Sequence, residues 1–127
     1  MLTERVYYPL GTVASKCGGI AGKNWGGGDV AFDGGLGSAA ILVCGLEAAR
    51  NGLSEQDARA KFGGDVADSF IEDMDHPGYY PGAQKLYVKL VCQKSTGRLL
   101  GGQTAGERGA ALRCQTLALG ITAGVNV

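Results

Sequence analysis

The sequence predicts an α+β fold, an antiparallel β-sheet with flanking helices, in a single domain over residues 1–127. Three observations predict it. Leu86 to Cys92 alternate in side-chain character and run into Lys94-Ser95-Thr96-Gly97, the pattern of a strand feeding a hairpin. Apolar residues at both ends of the chain recur at three- and four-residue steps, the period of one helical face. Glycine is abundant but dispersed between apolar segments, and proline is scarce, which excludes collagen and a disordered linker. A chain of this length can bury roughly two thirds of its unfolded surface, so a core is available to hold these elements together.

From Pro9 to about Asn24, the residues Leu10, Val13, Ala14, Cys17, Ile20 and Ala21 form one stripe, with proline at the first turn where it costs no hydrogen bond. Gly18-Gly19 inside that helix implies close packing by a neighbour, since each interior glycine otherwise costs about 1 kcal/mol. Trp25-Gly26-Gly27-Gly28 ends it. After Gly34-Gly35, the run Ser38 to Val43 suits a buried strand. Ser54 and Asp57 have the spacing of a capping box, predicting a short surface helix from Glu55 to Phe62 closed by Gly63-Gly64. Asp65 to Asp73 alternates loosely as a strand. In the hairpin, Leu86, Val88, Leu90 and Cys92 face one way and Tyr87, Lys89 and Val91 the other, and Arg98 to Gln103 returns antiparallel. From about Glu107, the residues Ala110, Ala111, Cys114, Leu117, Ala118 and Ile121 form a last helix that Gly124 can terminate.

Charge balance narrows the partners. Twelve lysines and arginines offset twelve aspartates and glutamates, which removes the electrostatic reason to expect nucleic acid or an anionic membrane. No apolar run approaches the roughly 20 residues of a membrane span, and the N-terminus lacks a signal-peptide core, so the chain reads as cytoplasmic. Cys17, Cys44, Cys92 and Cys114 lie far apart without a Cys-x-x-Cys pair, and read as buried free thiols, not as a zinc site or redox dithiol.

Several motifs approach known chemistry and miss it. Gly18-Gly19-Ile20-Ala21-Gly22-Lys23 resembles a phosphate loop, but the first required glycine falls on Cys17, the hydroxyl position on Asn24, and no strand feeds it. Gly35-Leu36-Gly37-Ser38-Ala39-Ala40 imitates a dinucleotide fingerprint, yet its glycines precede a strand when they should follow one, and Glu55 opens a helix. Glu72, Asp73, Asp75 and His76 could ligate a divalent ion only if a loop converged them, and with one histidine in the chain no metal is expected. No Gly-x-Ser-x-Gly elbow mounts a nucleophile. Tyr79 and Tyr80 are the stronger chemical candidates. A phenol can serve as acid or hydrogen-bond donor, or the two rings can simply anchor a loop between Gly78 and Pro81.

Read together, Tyr8-Pro9-Leu10-Gly11, Gly35-Leu36-Gly37-Ser38-Ala39, Leu46 to Glu55, His76-Pro77-Gly78-Tyr79-Tyr80-Pro81-Gly82, the hairpin with Thr96 to Gly102, and Gly109-Ala110-Ala111 resemble one family in order and spacing. It is the C-terminal dimerisation domain of the pyridine nucleotide-disulfide oxidoreductases, in the branch of coenzyme A-disulfide reductases and NADH oxidases. The resemblance implies a homodimer, with the helix from Glu107 and the hairpin at the interface. It implies that Pro9, Leu10 and Gly11 face the flavin, where a helix N-terminus favours an electron-rich ring. It also implies that Tyr79 or Tyr80 assists thiol chemistry in a partner subunit's active site. Full-length relatives use FAD and NAD(P)H, but the nucleotide fingerprints, redox cysteine and acidic flavin-ribityl motif are not found in this sequence. The expectation is therefore a free-standing dimerisation module with no cofactor of its own and no autonomous redox catalysis. The alternatives are a detached subunit completing a separately encoded flavoprotein, and a small-ligand binding module.

Overall fold

In the computed structural model, which describes residues 6–127, the chain divides into two compact units, one ending at Gly37 and the other spanning Ser38–Val127. The first unit holds helix α1, Gly11–Trp25, preceded by Leu10 in extended conformation as its N-cap. Pro9 therefore precedes the cap and does not occupy the first turn. The packing expected around the interior glycines is absent: a Cβ at Gly18, Gly19 or Gly22 would meet nothing within 4 Å, and α1 buries no residue. Beyond the helix, the Asn24 side chain clamps Val30 from both sides, donating from Nδ2 to its carbonyl at 3.0 Å and accepting from its N–H at 2.8 Å. Gly37 has a φ of +63°, and a Cβ there would come within 2.5 Å of the Tyr8 ring, so only glycine fits.

The second unit contains, among the described residues, strands β1 (Ala39–Val43), β2 (Leu46–Gly52), β3 (Val66–Met74), β4 (Lys85–Gln93) and β5 (Leu99–Gly106), with helices α2 (Glu55–Phe62) and α3 (Ala110–Ala123). The sheet runs in the order β1-β2-β5-β4-β3, antiparallel throughout. This is the α+β architecture that the alternation predicted. One strand was not predicted. Leu46–Gly52 is rich in helix formers, but the two-residue turn Cys44-Gly45, with φ of 50° and 79°, folds it back on β1 and against β5. Pairing on both sides outweighs the weak helical propensity.

The register sorts side chains onto two faces. Leu86, Val88 and Leu90 lie opposite Gly106, Thr104 and Gly102, on the side that α3 covers. There Ala110 and Cys114 are buried, Thr104 Oγ1 donates to the Ala110 carbonyl at 2.8 Å, and Asn51 Nδ2 donates to the Cys114 carbonyl at 2.6 Å. On the other face Val91, Val66, Ala58 and Leu100 form a core with Leu53 and Phe62 packed against it. Helix α2 sits over this core with the predicted bounds. Its cap is reciprocal: the Asp57 N–H donates to Ser54 Oγ at 3.1 Å while that hydroxyl donates to the Asp57 carboxylate at 2.6 Å, a device worth about 1 kcal/mol.

Two further expectations need correction. Ala39–Val43 is a strand but not a buried one, because it lies at the sheet edge with Ile41, Leu42 and Val43 exposed. Helix α3 starts at Ala110 and not near Glu107, because β5 continues to Gly106 and the chain turns through Gly109 in the left-handed region at φ 75°.

Strand β5 gives the sharpest test of this packing. A Cβ on Gly101 would sit 1.9 Å from the Leu53 carbonyl oxygen, a backbone atom that cannot swing away. Gly101→Ala should cost about 3 kcal/mol or more in denaturant unfolding. Gly64→Ala, with open space around it, should change stability by no more than about 0.5 kcal/mol.

Candidate functional site

The connection between β3 and β4 carries the paired tyrosines. Its base is closed by backbone and side chain together. The Asp75 N–H donates to the Gln84 carbonyl at 2.8 Å, and the Gln84 N–H donates to Asp75 Oδ1 at 2.9 Å. His76 Nδ1 lies 2.7 Å from the same oxygen. Two arginines reach in from the start of α3 and the turn before it. Arg108 Nη2 donates to Asp75 Oδ2 and to the Gly82 carbonyl, each at 3.4 Å, and Arg113 donates to the Asp75 carbonyl. These groups pull the Asp75 carboxyl down to about 2 from its ordinary 3.8, the Gln84 N–H contributing most, with His76 and Arg108 adding to it.

The tip of this loop is open. Tyr79 is 81% exposed and Tyr80 58% exposed. Their ring centroids lie 4.9 Å apart at an interplanar angle of 38°, and His76 meets Tyr80 edge-on at 6.3 Å. The loop is thus anchored by Asp75 and the arginines, and the rings project from it. Within the loop the rings contact each other and His76, while the base is held by Asp75 and the arginines.

The acidic residues nearby do not converge on an ion. Glu72 pairs with Lys85, Asp73 accepts from the Met74 N–H at 2.7 Å, and Asp75 is occupied as described. Among the described residues no group of three or more His, Cys, Asp or Glu could hold a metal. The thiols also depart from expectation. Cys114 is buried and Cys92 partly so, but Cys17 and Cys44 are exposed, the first on a helix that buries nothing and the second in a turn.

Pro9, Leu10 and Gly11 belong to the first unit. Leu10 supplies no side-chain cap, the first turn holds no acidic residue, and the earliest helical hydrogen bond runs from the Ala14 N–H to the Leu10 carbonyl at 3.0 Å. The N–H groups of the first turn thus have no side-chain cap, as at any uncapped helix N-terminus.

Sequence reasoning missed a concave surface on the α2 side of the sheet, about 730 Å³ in volume, lined by Ile41, Ala48, Arg50, Phe70, Tyr87 and Gln103 among others. Phe70 and Tyr87 stack across the β3–β4 pair at 6.1 Å. At its border, Lys89 and Arg59 both contact Glu55 and Asp68. Lys89 and Arg59 hydrogen bonds lower the Glu55 pKa, and Glu55 raises that of both cations in return. Alternation within β4 was readable, but only the register brings Arg50 beside Gln103 and Ile41 beside Ala48.

The five-stranded antiparallel sheet with α3 on one face and α2 on the other defines an α+β domain, and comparison with known proteins gives its family. Residues 38–127, the whole second unit, match the pyridine nucleotide-disulphide oxidoreductase dimerisation domain, and the chain belongs to that family. It is 39% identical over 103 residues to an NAD(P)H sulfur oxidoreductase (CoA-dependent) of Pyrococcus furiosus, covering 81% of this chain and 23% of that protein. Among solved structures, the NAD-dependent persulfide reductase from A. fulgidus is similar at a TM-score of 0.88 and 32% identity, over 97% of this chain and 23% of that one. The reduced Bacillus anthracis CoADR-RHD is similar at 0.84 and 29%, over 98% and 23%. The chain spans about a quarter of the length of these relatives.

The low Asp75 pKa gives a signed prediction. A carboxyl depressed in the folded state contributes fully above its unfolded value, near 3.8, and its contribution is lost as pH falls toward about 2. Loop order, read from the dispersion of the Tyr79 and Tyr80 ring resonances, should fall over that window in the wild type. Asp75→Asn should show a less ordered loop at neutral pH and no such titration.

Proposed function

We propose that this domain serves self-association, pairing with a second copy as the dimerisation element of a flavin-dependent oxidoreductase acting on coenzyme A-linked disulfides or persulfides in the cytoplasm. The observation that carries the reading is the coincidence of the compact Ser38–Val127 unit with the matched dimerisation domain at 38–127. Apolar side chains left open on the same unit support it: Ile41, Leu42, Val43 and Leu46 around the first hairpin, and Leu112 and Leu119 on α3. Catalysis by such an enzyme requires FAD and NAD(P)H. In this reading both are held outside the described residues, and Pro9, Leu10 and Gly11 contribute one flavin-facing edge. The domain by itself then acts as a module without redox turnover.

A second reading has its own support. The exposure of Tyr79 on a loop fixed at its base favours a tyrosine that works in the active site of another chain, whether a second copy or a separately encoded flavoprotein. There a phenol hydroxyl would donate a hydrogen bond to a thiolate as it forms. No helix among the described residues is long and apolar enough to cross a membrane.

The purified chain should run as a colourless dimer in sedimentation at micromolar concentration and should not oxidise NADH. A monomer that persists at high concentration, or a flavin band near stoichiometric with protein, would overturn the first reading. Tyr79→Phe and Tyr80→Phe should each leave unfolding and association within about 1 kcal/mol of wild type, because only a hydroxyl is lost. If the loop serves another chain's chemistry, one of the two should lower that flavoprotein's turnover about tenfold or more in a reconstituted assay. Unchanged turnover for both would remove the second reading.

A further inference from the structure

We infer that the concave surface on the α2 side of the sheet binds a small aromatic carboxylate, its anion on Arg50 and its ring on a floor of alanines between Ile41 and Tyr87. The site lies wholly within the Ser38–Val127 unit and does not depend on the proposed self-association.

Strand register builds it from two neighbouring rungs. In the first, Arg50 of β2 faces Gln103 of β5, and Gln103 faces Lys89 of β4. In the second, Ile41 of β1 faces Ala48, Ala48 faces Ala105, and Ala105 faces Tyr87. Adjacent strands lie about 4.8 Å apart, so Ile41 and Tyr87 stand on strands about 14 Å apart, with two residues between them that carry only a methyl group. Rungs two residues apart along a strand are separated by about 6.8 Å, which sets the polar rung about one ring-length from the apolar one. Large side chains at the ends and small ones between them make a hollow of about 730 Å³, a size typical of small-molecule sites.

Charge selects the sign of the ligand. Lys89 is neutralised by Glu55 and Asp68, and Glu72, beyond Tyr87 on the second rung, is paired with Lys85. Arg50, by contrast, has no hydrogen bond or ion pair among the described residues. One unpaired guanidinium fits one negative charge, and its planar fork matches a carboxylate. Gln103 beside it spends one amide hydrogen on a long 3.4 Å bond to the Leu53 carbonyl and keeps the other.

The aromatic pair selects the body. Phe70 and Tyr87 stack at 6.1 Å and 21°, and Phe70 is 62% exposed. A stacked pair beside a flat floor offers a face or an edge to a third ring. On an open surface a rigid ring also loses less freedom than an alkyl chain of the same area.

Titration of the purified chain with naphthoate, followed by backbone and ring NMR, tests the site. Shifts should concentrate on Arg50, Gln103, Ala105 and the rings of Phe70 and Tyr87, with a Kd of about 1 mM or tighter. The neutral isostere naphthamide should bind about fivefold more weakly, and Arg50→Gln should abolish that preference, since an exposed ion pair is worth about that factor. Ala105→Leu fills the floor and should weaken both probes about tenfold or more, with an unaltered circular dichroism spectrum. No shifts at about 10 mM naphthoate, shifts confined to other surfaces, or equal binding of the two probes to wild type would each overturn the site. A preference for naphthoate that survives in Arg50→Gln overturns it as well. The oligomeric state, read separately by sedimentation, is not at issue in any of these outcomes.

Discussion

The close approach of both layers to strand β5 is the constraint on which this domain depends. Three of its positions, Gly101, Gly102 and Gly106, lack side chains, and the space is taken from both sides. The Leu53 backbone closes on Gly101, Leu117 of α3 comes within 2.5 Å of where a Gly102 Cβ would be, and the Lys85 carbonyl crowds Gly106. A central strand carrying ordinary side chains would hold α3 off the sheet. Thr104 would then lose its bond to the Ala110 carbonyl and Asn51 its bond to the Cys114 carbonyl. Glycine weakens a strand intrinsically, but here pairing on both sides and cover on both faces offset that weakness.

From that packed centre, order extends to the tyrosine loop through α3. Packing α3 against β5 and β2 places Arg108 and Arg113 beside the β3–β4 connection, where they meet Asp75 and Gly82. A loop tip that projects two tyrosines into solvent would ordinarily be mobile. A carboxylate receiving a backbone N–H, a histidine and a guanidinium fixes where it projects from. The base of the loop is thus held while its tip stays exposed.

The unit's surface is divided by chemistry. Around α2 and β4, Glu55, Arg59, Asp68 and Lys89 form a mutually satisfied charged network. At the far side of the sheet, β1 and the start of β2 present apolar side chains and an open backbone edge.

The sequence by itself determined what local chemistry controls. The α2 helix, with its Ser54 cap and Gly63 stop, depends on groups a few residues apart, and its bounds were readable. The same holds for alternation in β4, the turn at Lys94 to Gly97, and the order of motifs that marked the family. The tertiary structure decided what depends on pairing between distant segments. Leu46–Gly52 became a strand because β1 and β5 flank it. Ala39–Val43 became an exposed edge, because burial depends on position in the sheet and not on composition. The concave surface with Arg50 and Gln103 exists only through register, and the base of the tyrosine loop is held at Asp75 by arginines 33 and 38 residues away in sequence. Side-chain identity fixes local geometry, whereas neighbours across the sheet decide which groups meet water.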